Sequence, residues 1–161
     1  DDDVHADMFL AADRRLAEAG FRWYETSNWS KGQATESAHN WMYWNSSDWW
    51  GVGPGAHSHM GGVRWWNVKH PAAYAERLAQ GRSPAFHREV LSASEIALER
   101  ILLGLRTREG ISVDDVAVQK AHVLEDSLQR GLLDSDSLAA GRITLTQSGR
   151  LLADHLAAQL S

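Results

Sequence analysis

All eight tryptophans of this 161-residue chain lie between Trp23 and Trp66, and no aromatic residue follows Phe86. Tryptophan is the rarest residue type, and large rings dominate the packing of any core that holds them. Segment 87–161 must therefore build its interior from aliphatic side chains alone. A break this sharp predicts two modules, residues 1–88 with the aromatic residues and residues 89–161 without them.

The chain has no cysteine, which removes disulfides, thiol nucleophiles and any cysteine-held iron–sulfur cluster among these residues. There are 16 Lys+Arg against 21 Asp+Glu. An acidic balance argues against nucleic acid as a partner, because phosphate contacts need a concentrated positive field. No apolar run reaches the roughly 20 residues of a membrane span. Asp1-Asp2-Asp3 is the opposite of a basic leader, so a cytoplasmic protein is expected.

Val4, Met8, Ala12 and Leu16 share one helical stripe, which predicts a helix from Val4 to Ala19, capped by Asp3 and stopped by Gly20. Phe21–Ser27 reads as a strand, and Trp49–His59 as another interrupted by Gly51, Gly53, Pro54 and Gly55. Gly61-Gly62 offers a tight turn into a strand Val63–Val68. Pro71 suits the start of a helix to Gln80, with Gly81 as its stop. In the second module Ser92-Ala93-Ser94-Glu95 is a capping box before a helix Ile96–Arg108. Short helices are expected near Val113–Val118 and Lys120–Arg130. Leu132-Leu133 should pair with Ile143–Leu145 as a small hairpin across an Asp134–Gly141 turn, and Thr146 should cap a last helix carrying Leu151, Leu152, His155, Leu156 and Leu160.

Three motifs carry a family resemblance. They are Tyr24-Glu25-Thr26-Ser27-Asn28, His39-Asn40-Trp41-Met42-Tyr43-Trp44 and Gly51-Val52-Gly53-Pro54-Gly55-Ala56-His57-Ser58. Together with Leu103-Gly104-Leu105-Arg106 and Leu145-Thr146-Gln147-Ser148-Gly149, they resemble the C-terminal part of the radical-SAM haem chaperones, the oxygen-independent coproporphyrinogen III oxidase-like proteins. The resemblance implies an α+β fold: the end of a partial (β/α) barrel with a small sheet, then a helical, winged-helix-like C-terminal domain. It implies haem or porphyrin contact by His39, Asn40, Tyr43 and Trp44. Gly53, Gly55, Ala56 and His57 would face SAM or substrate. SAM and a [4Fe–4S] cluster would belong to an N-terminal barrel of the same protein, with which this part would pack, and the present residues alone would lack radical-SAM activity. The family usually has cysteine where Ser37 stands, so no thiolate acts there.

Residue types alone leave other readings open. His39 can equally sit in an aromatic packing cluster, and His57 with His59 share a strand face without a carboxylate partner, which is too little for a metal site. A winged-helix DNA regulator is an alternative. Its module 88–161, however, has 8 Lys+Arg against 11 Asp+Glu, and Gln119–Arg130 has only Lys120 and Arg130 as cations. A sugar-binding tryptophan surface is the third reading.

Overall fold

The computed structural model describes residues 2–161. The chain mixes helices and short antiparallel strands and divides into two compact units. One unit is residues 1–45 with 97–161, and the other is residues 46–96. This differs from a division at residue 88, because segment 1–45 shares ion pairs and backbone hydrogen bonds with the aliphatic C-terminal segment.

In the first unit α1 (Asp2–Glu18) leads through Gly20 into β1 (Arg22–Glu25), which pairs with β2 (Asn28–Ser30). Asp3 lies inside α1 rather than capping it. Gly20, at φ 82°, ends the helix as expected, with Phe21 N donating to Leu16 O. The strand is shorter than Phe21–Ser27 because the chain reverses at Thr26-Ser27. α2 (Ala38–Trp44) begins at Ser37, whose hydroxyl accepts from Asn40 N at 3.2 Å. The residue standing at the family's cysteine position is thus a helix N-cap.

α4 (Ala93–Gly104) starts at the expected capping box: Ser92 N donates to the Glu95 carboxylate and Glu95 N to the Ser92 hydroxyl. It ends at Gly104 rather than Arg108. A Cβ there would sit 2.4 Å from Ile111 Cγ2, and Thr107 is claimed by a bridge to Glu25. Val113–Asp115 and Val118–Lys120 form single 3-10 turns, not one helix. β6 (Ile111–Ser112), α5 (Ala121–Gln129), α6 (Ser135–Ala139) and β7 (Arg142–Ile143) follow; Leu133 bridges Leu145, but the expected hairpin does not form, because α6 fills the turn and Ile143 pairs with Ile111. The last helix is broken into α7 (Gln147–Arg150), capped by Thr146, and α8 (Ala153–Leu160). Leu151 and Leu152 at the break are exposed. Leu156 and Leu160 join Ile101, Leu105, Ile111, Leu133 and Ile143 in an aliphatic core.

The second unit is a three-stranded antiparallel sheet, β3 (His57–Met60), β4 (Val63–Asn67) and β5 (Ala85–Val90), with α3 (Pro71–Ala79) between β4 and β5. Gly61 and Gly62, at φ 57° and 78°, make the two-residue turn from Met60 to Val63. The expected strand Trp49–His59 is mostly loop, with Trp49 touching β3 through one bridge to His59. Gly53 and Gly55 adopt φ of 109° and 69°, which no ladder accommodates, and Pro54 has no N–H to donate.

Candidate functional site

Glu25, at the end of β1, is 1% exposed. Its Oε1 accepts from Asn28 Nδ2 at 2.6 Å and from Asn40 Nδ2 at 2.9 Å. Acid and both amides come from the first two sequence motifs, so two segments that look separate in sequence close on one oxygen. Tyr24 belongs to the same knot: its hydroxyl accepts from Ser37 N at 3.3 Å, and its ring lies 6.0 Å from that of Trp41. Trp41 Nε1 donates to Glu36, whose carboxylate also takes both terminal nitrogens of Arg108, at 2.6 and 3.2 Å.

That arrangement divides the residues predicted to contact haem. Asn40 does not orient the His39 ring, because its amide is spent on Glu25. Trp44 is half-buried. His39 and Tyr43 are exposed on α2, four residues apart, with ring centroids 4.9 Å apart and planes at 84°. The residue type of Glu25 alone points to no role. The Asn residues at fixed places in both motifs were the signal available, since a buried carboxylate needs donors.

In the second unit the glycine motif forms a pinned loop. Asn67, 3% exposed, donates to Gly53 O at 3.0 Å and Gly51 O at 3.4 Å. Gly51 N donates to the Ser58 hydroxyl, Gly53 N to the Tyr74 hydroxyl and Gly55 N to Val68 O. A Cβ on Gly51 would lie 2.0 Å from His57 O, so this glycine permits a backbone approach that any side chain would block. Gly53, Gly55, Ala56 and His57 thus form one continuous loop and strand start. His57 is exposed and stacks on Trp66 at 5.6 Å, and His87 meets the other side of the row at 5.1 Å. His59 is buried, with Nδ1 3.1 Å from Ser47 O and its ring 5.0 Å from Trp49. The same strand therefore presents one histidine outward and locks the other into packing. Among the described residues no group of three or more His, Asp or Glu is arranged to hold a metal ion. A groove of about 800 Å³ on this unit is lined by Trp50, Trp65, Tyr74, Phe86 and Arg88.

No family model matches the chain. It is 45% identical over 154 residues to the heme chaperone HemW of Mycobacterium tuberculosis, covering 96% of this chain and 38% of that protein. It is 30% identical over 159 residues to the heme chaperone HemW of Bacillus subtilis, covering 94% and 41%. A cattle (Bos taurus) protein, radical S-adenosyl methionine domain-containing protein 1, mitochondrial, is 31% identical over 163 residues, covering 96% and 35%. The fold matches the radical SAM coproporphyrinogen III oxidase HemN of Escherichia coli at a TM-score of 0.69 and 15% identity, over 96% of this chain and 40% of that one. The chain thus spans about two fifths of the length of these relatives. By sequence across nearly its whole length, the chain is HemW/HemN-like and corresponds to the C-terminal part of such a protein.

Proposed function

We propose that this chain is the haem-contacting C-terminal part of a radical SAM haem chaperone, with His39 the axial ligand to haem iron and Tyr43 walling the porphyrin plane. The observation that carries the reading is the exposed His39–Tyr43 pair. The scaffold uses Asn40 and Trp41 of the same motif but leaves this pair at the surface. The donor set fits the group: a neutral imidazole ligates haem iron, and a neighbouring ring supplies an apolar face. Haem would bring the iron; the chain's part is to hold the imidazole and cover the ring. His57, exposed after the pinned glycine loop, is the second candidate ligand. Gly53, Gly55 and Ala56 would then line the side facing SAM or substrate. SAM and its cluster would be held by cysteine-bearing residues other than these 161.

In the same reading α1 and β1 are the last helix and strand of a partial (β/α) barrel, supported by the match in fold to the E. coli enzyme. α4, α5 and the short β6–β7 pair form a winged-helix-like domain. The acidic balance of segment 88–161 supports packing rather than DNA binding, and a cytoplasmic setting goes with that role.

Haem titration tests the reading. Wild-type chain is expected to shift and sharpen the main haem absorption band, His39→Ala to weaken or alter that spectrum, and His59→Ala to leave it unchanged. A folded His39→Ala variant with a wild-type spectrum would remove His39 from the site.

A further inference from the structure

We propose that Glu25, acting through Asn40, is a positioning residue that fixes the face of α2 on which His39 and Tyr43 stand. The inference rests on the haem reading for its purpose, but its geometry is independent of it. β1 is held from the far side, because Arg108 N donates to Tyr24 O at 2.8 Å and Thr26 N to Arg106 O at 3.0 Å. Glu25 therefore has a rigid root. From it one carboxylate oxygen reaches Asn28 across the β1–β2 turn and Asn40 in the first turn of α2. Asn40 is tied twice, since its N–H also donates to Ser37 Oγ. The bond to Ser37 Oγ sets where α2 starts, and the bond to Glu25 helps to set its rotation about its own axis.

Successive residues on a helix are about 100° apart. With Asn40 turned inward to Glu25, His39 is turned outward, and Tyr43 follows it one turn later. Without the Asn40 amide, the helix keeps its N-cap but loses the bond that selects this rotation. The two rings keep their mutual contact at 4.9 Å, since both stand on α2, but the direction in which the pair faces is no longer fixed relative to β1. A ligating imidazole carried on a helix face that is no longer fixed loses affinity as one does when an outer supporting bond is removed, by roughly tenfold.

The experiment compares two amides on one oxygen. Asn28→Ala removes the 2.6 Å bond and Asn40→Ala the 2.9 Å bond, so a purely structural role predicts similar effects. Indole NMR of the full chain without haem would read the Trp41 ring protons on α2, which the Tyr24 ring on β1 shifts from 6.0 Å away. Asn40→Ala is expected to abolish that shift and Asn28→Ala to retain it. Asn40→Asp, nearly the same shape but a like charge facing Glu25, should also abolish it and serves if the alanine variant does not fold. In the haem titration Asn40→Ala should bind roughly tenfold more weakly and Asn28→Ala as wild type. Retention of the shift in both Asn40 variants, or equal loss in Asn28→Ala, would overturn the proposal. A wild-type chain that shows the shift and fails to bind haem overturns the haem reading instead and leaves the positioning role standing.

Discussion

Asp13 on α1 and Arg150 on α7, 137 residues apart in sequence, meet at 2.8 Å with both side chains only 13% exposed. The Arg150 guanidinium also lies over the rings of Trp23, at 4.4 Å, and Phe9, at 5.6 Å. Asp13 takes further donors from Trp29 Nε1 at 2.6 Å and Gln147 Nε2 at 2.7 Å. One carboxylate thus gathers α1, β2 and α7, and this is why the first 45 residues and the last 65 form one unit rather than two.

Replacing Asp13 by Asn keeps the shape and removes the charge that three donors address. Hydrogen bonds to an ionised group are worth more than neutral ones, so a loss of about 2 kcal/mol is expected. Urea unfolding should show a lower midpoint at unchanged slope. A midpoint within error of wild type would mean that the pair is surface decoration.

Acid should weaken the same contact. Burial alone raises the Asp13 carboxyl. The hydrogen bonds from Arg150, Trp29 and Gln147, with the Arg150 charge, outweigh it and hold the group below the ordinary aspartate value. As pH falls, the unfolded chain takes up its proton first. The contribution is therefore complete above the ordinary value, near 3.8, and is lost as pH drops through it toward the lower folded value. Stability measured between pH 5 and pH 3 should fall less steeply for Asp13→Asn than for wild type.

Elements were legible where a local rule decides them. Gly20, Gly61-Gly62, Gly81, Ser92–Glu95 and Thr146 all act as their residue types imply. What stayed illegible was set across the chain. Helix α4 stops at Gly104, and the residues after it pair with β1, Thr107 bridging Glu25 and Arg108 N donating to Tyr24 O. The strand expected at Trp49–His59 gives way to a loop held by Asn67 and Tyr74. In the candidate site His39 and Tyr43 are named by the family resemblance of their motif, whereas Glu25 is not legible in its residue type, because its two amide partners arrive from 3 and 15 residues away.

The pinned loop should be intolerant at Gly51 and milder at Gly53. Gly51→Ala drives a methyl into His57 O and must move β3, at a cost of about 3 kcal/mol. A Cβ at Gly53 meets nothing within 4 Å, so Gly53→Ala carries only the strain of φ 109°, about 1 kcal/mol. Thermal unfolding of the two variants checks the order, and the reverse order would mean that the loop is not held as described.

The bridge between Glu36 and Arg108 should show an asymmetry that separates a buried charge from an exposed one. The Glu36 side chain is 3% exposed and that of Arg108 39%. Arg108→Ala leaves a buried carboxylate with the Trp41 indole as its remaining described donor, a cost of about 3 kcal/mol. Glu36→Gln leaves a guanidinium that water can solvate and an amide that still accepts from Trp41, so about 1 kcal/mol is expected. Once Glu36 is uncharged, removing Arg108 strands no charge. The double variant should therefore be more stable than the two single losses added together, by about 1–2 kcal/mol of coupling. Urea midpoints for the four proteins close the cycle. Additive losses, or a larger loss for Glu36→Gln than for Arg108→Ala, would show that Glu36 is solvated in solution and that α2 is held chiefly by the Asn40 amide on Glu25.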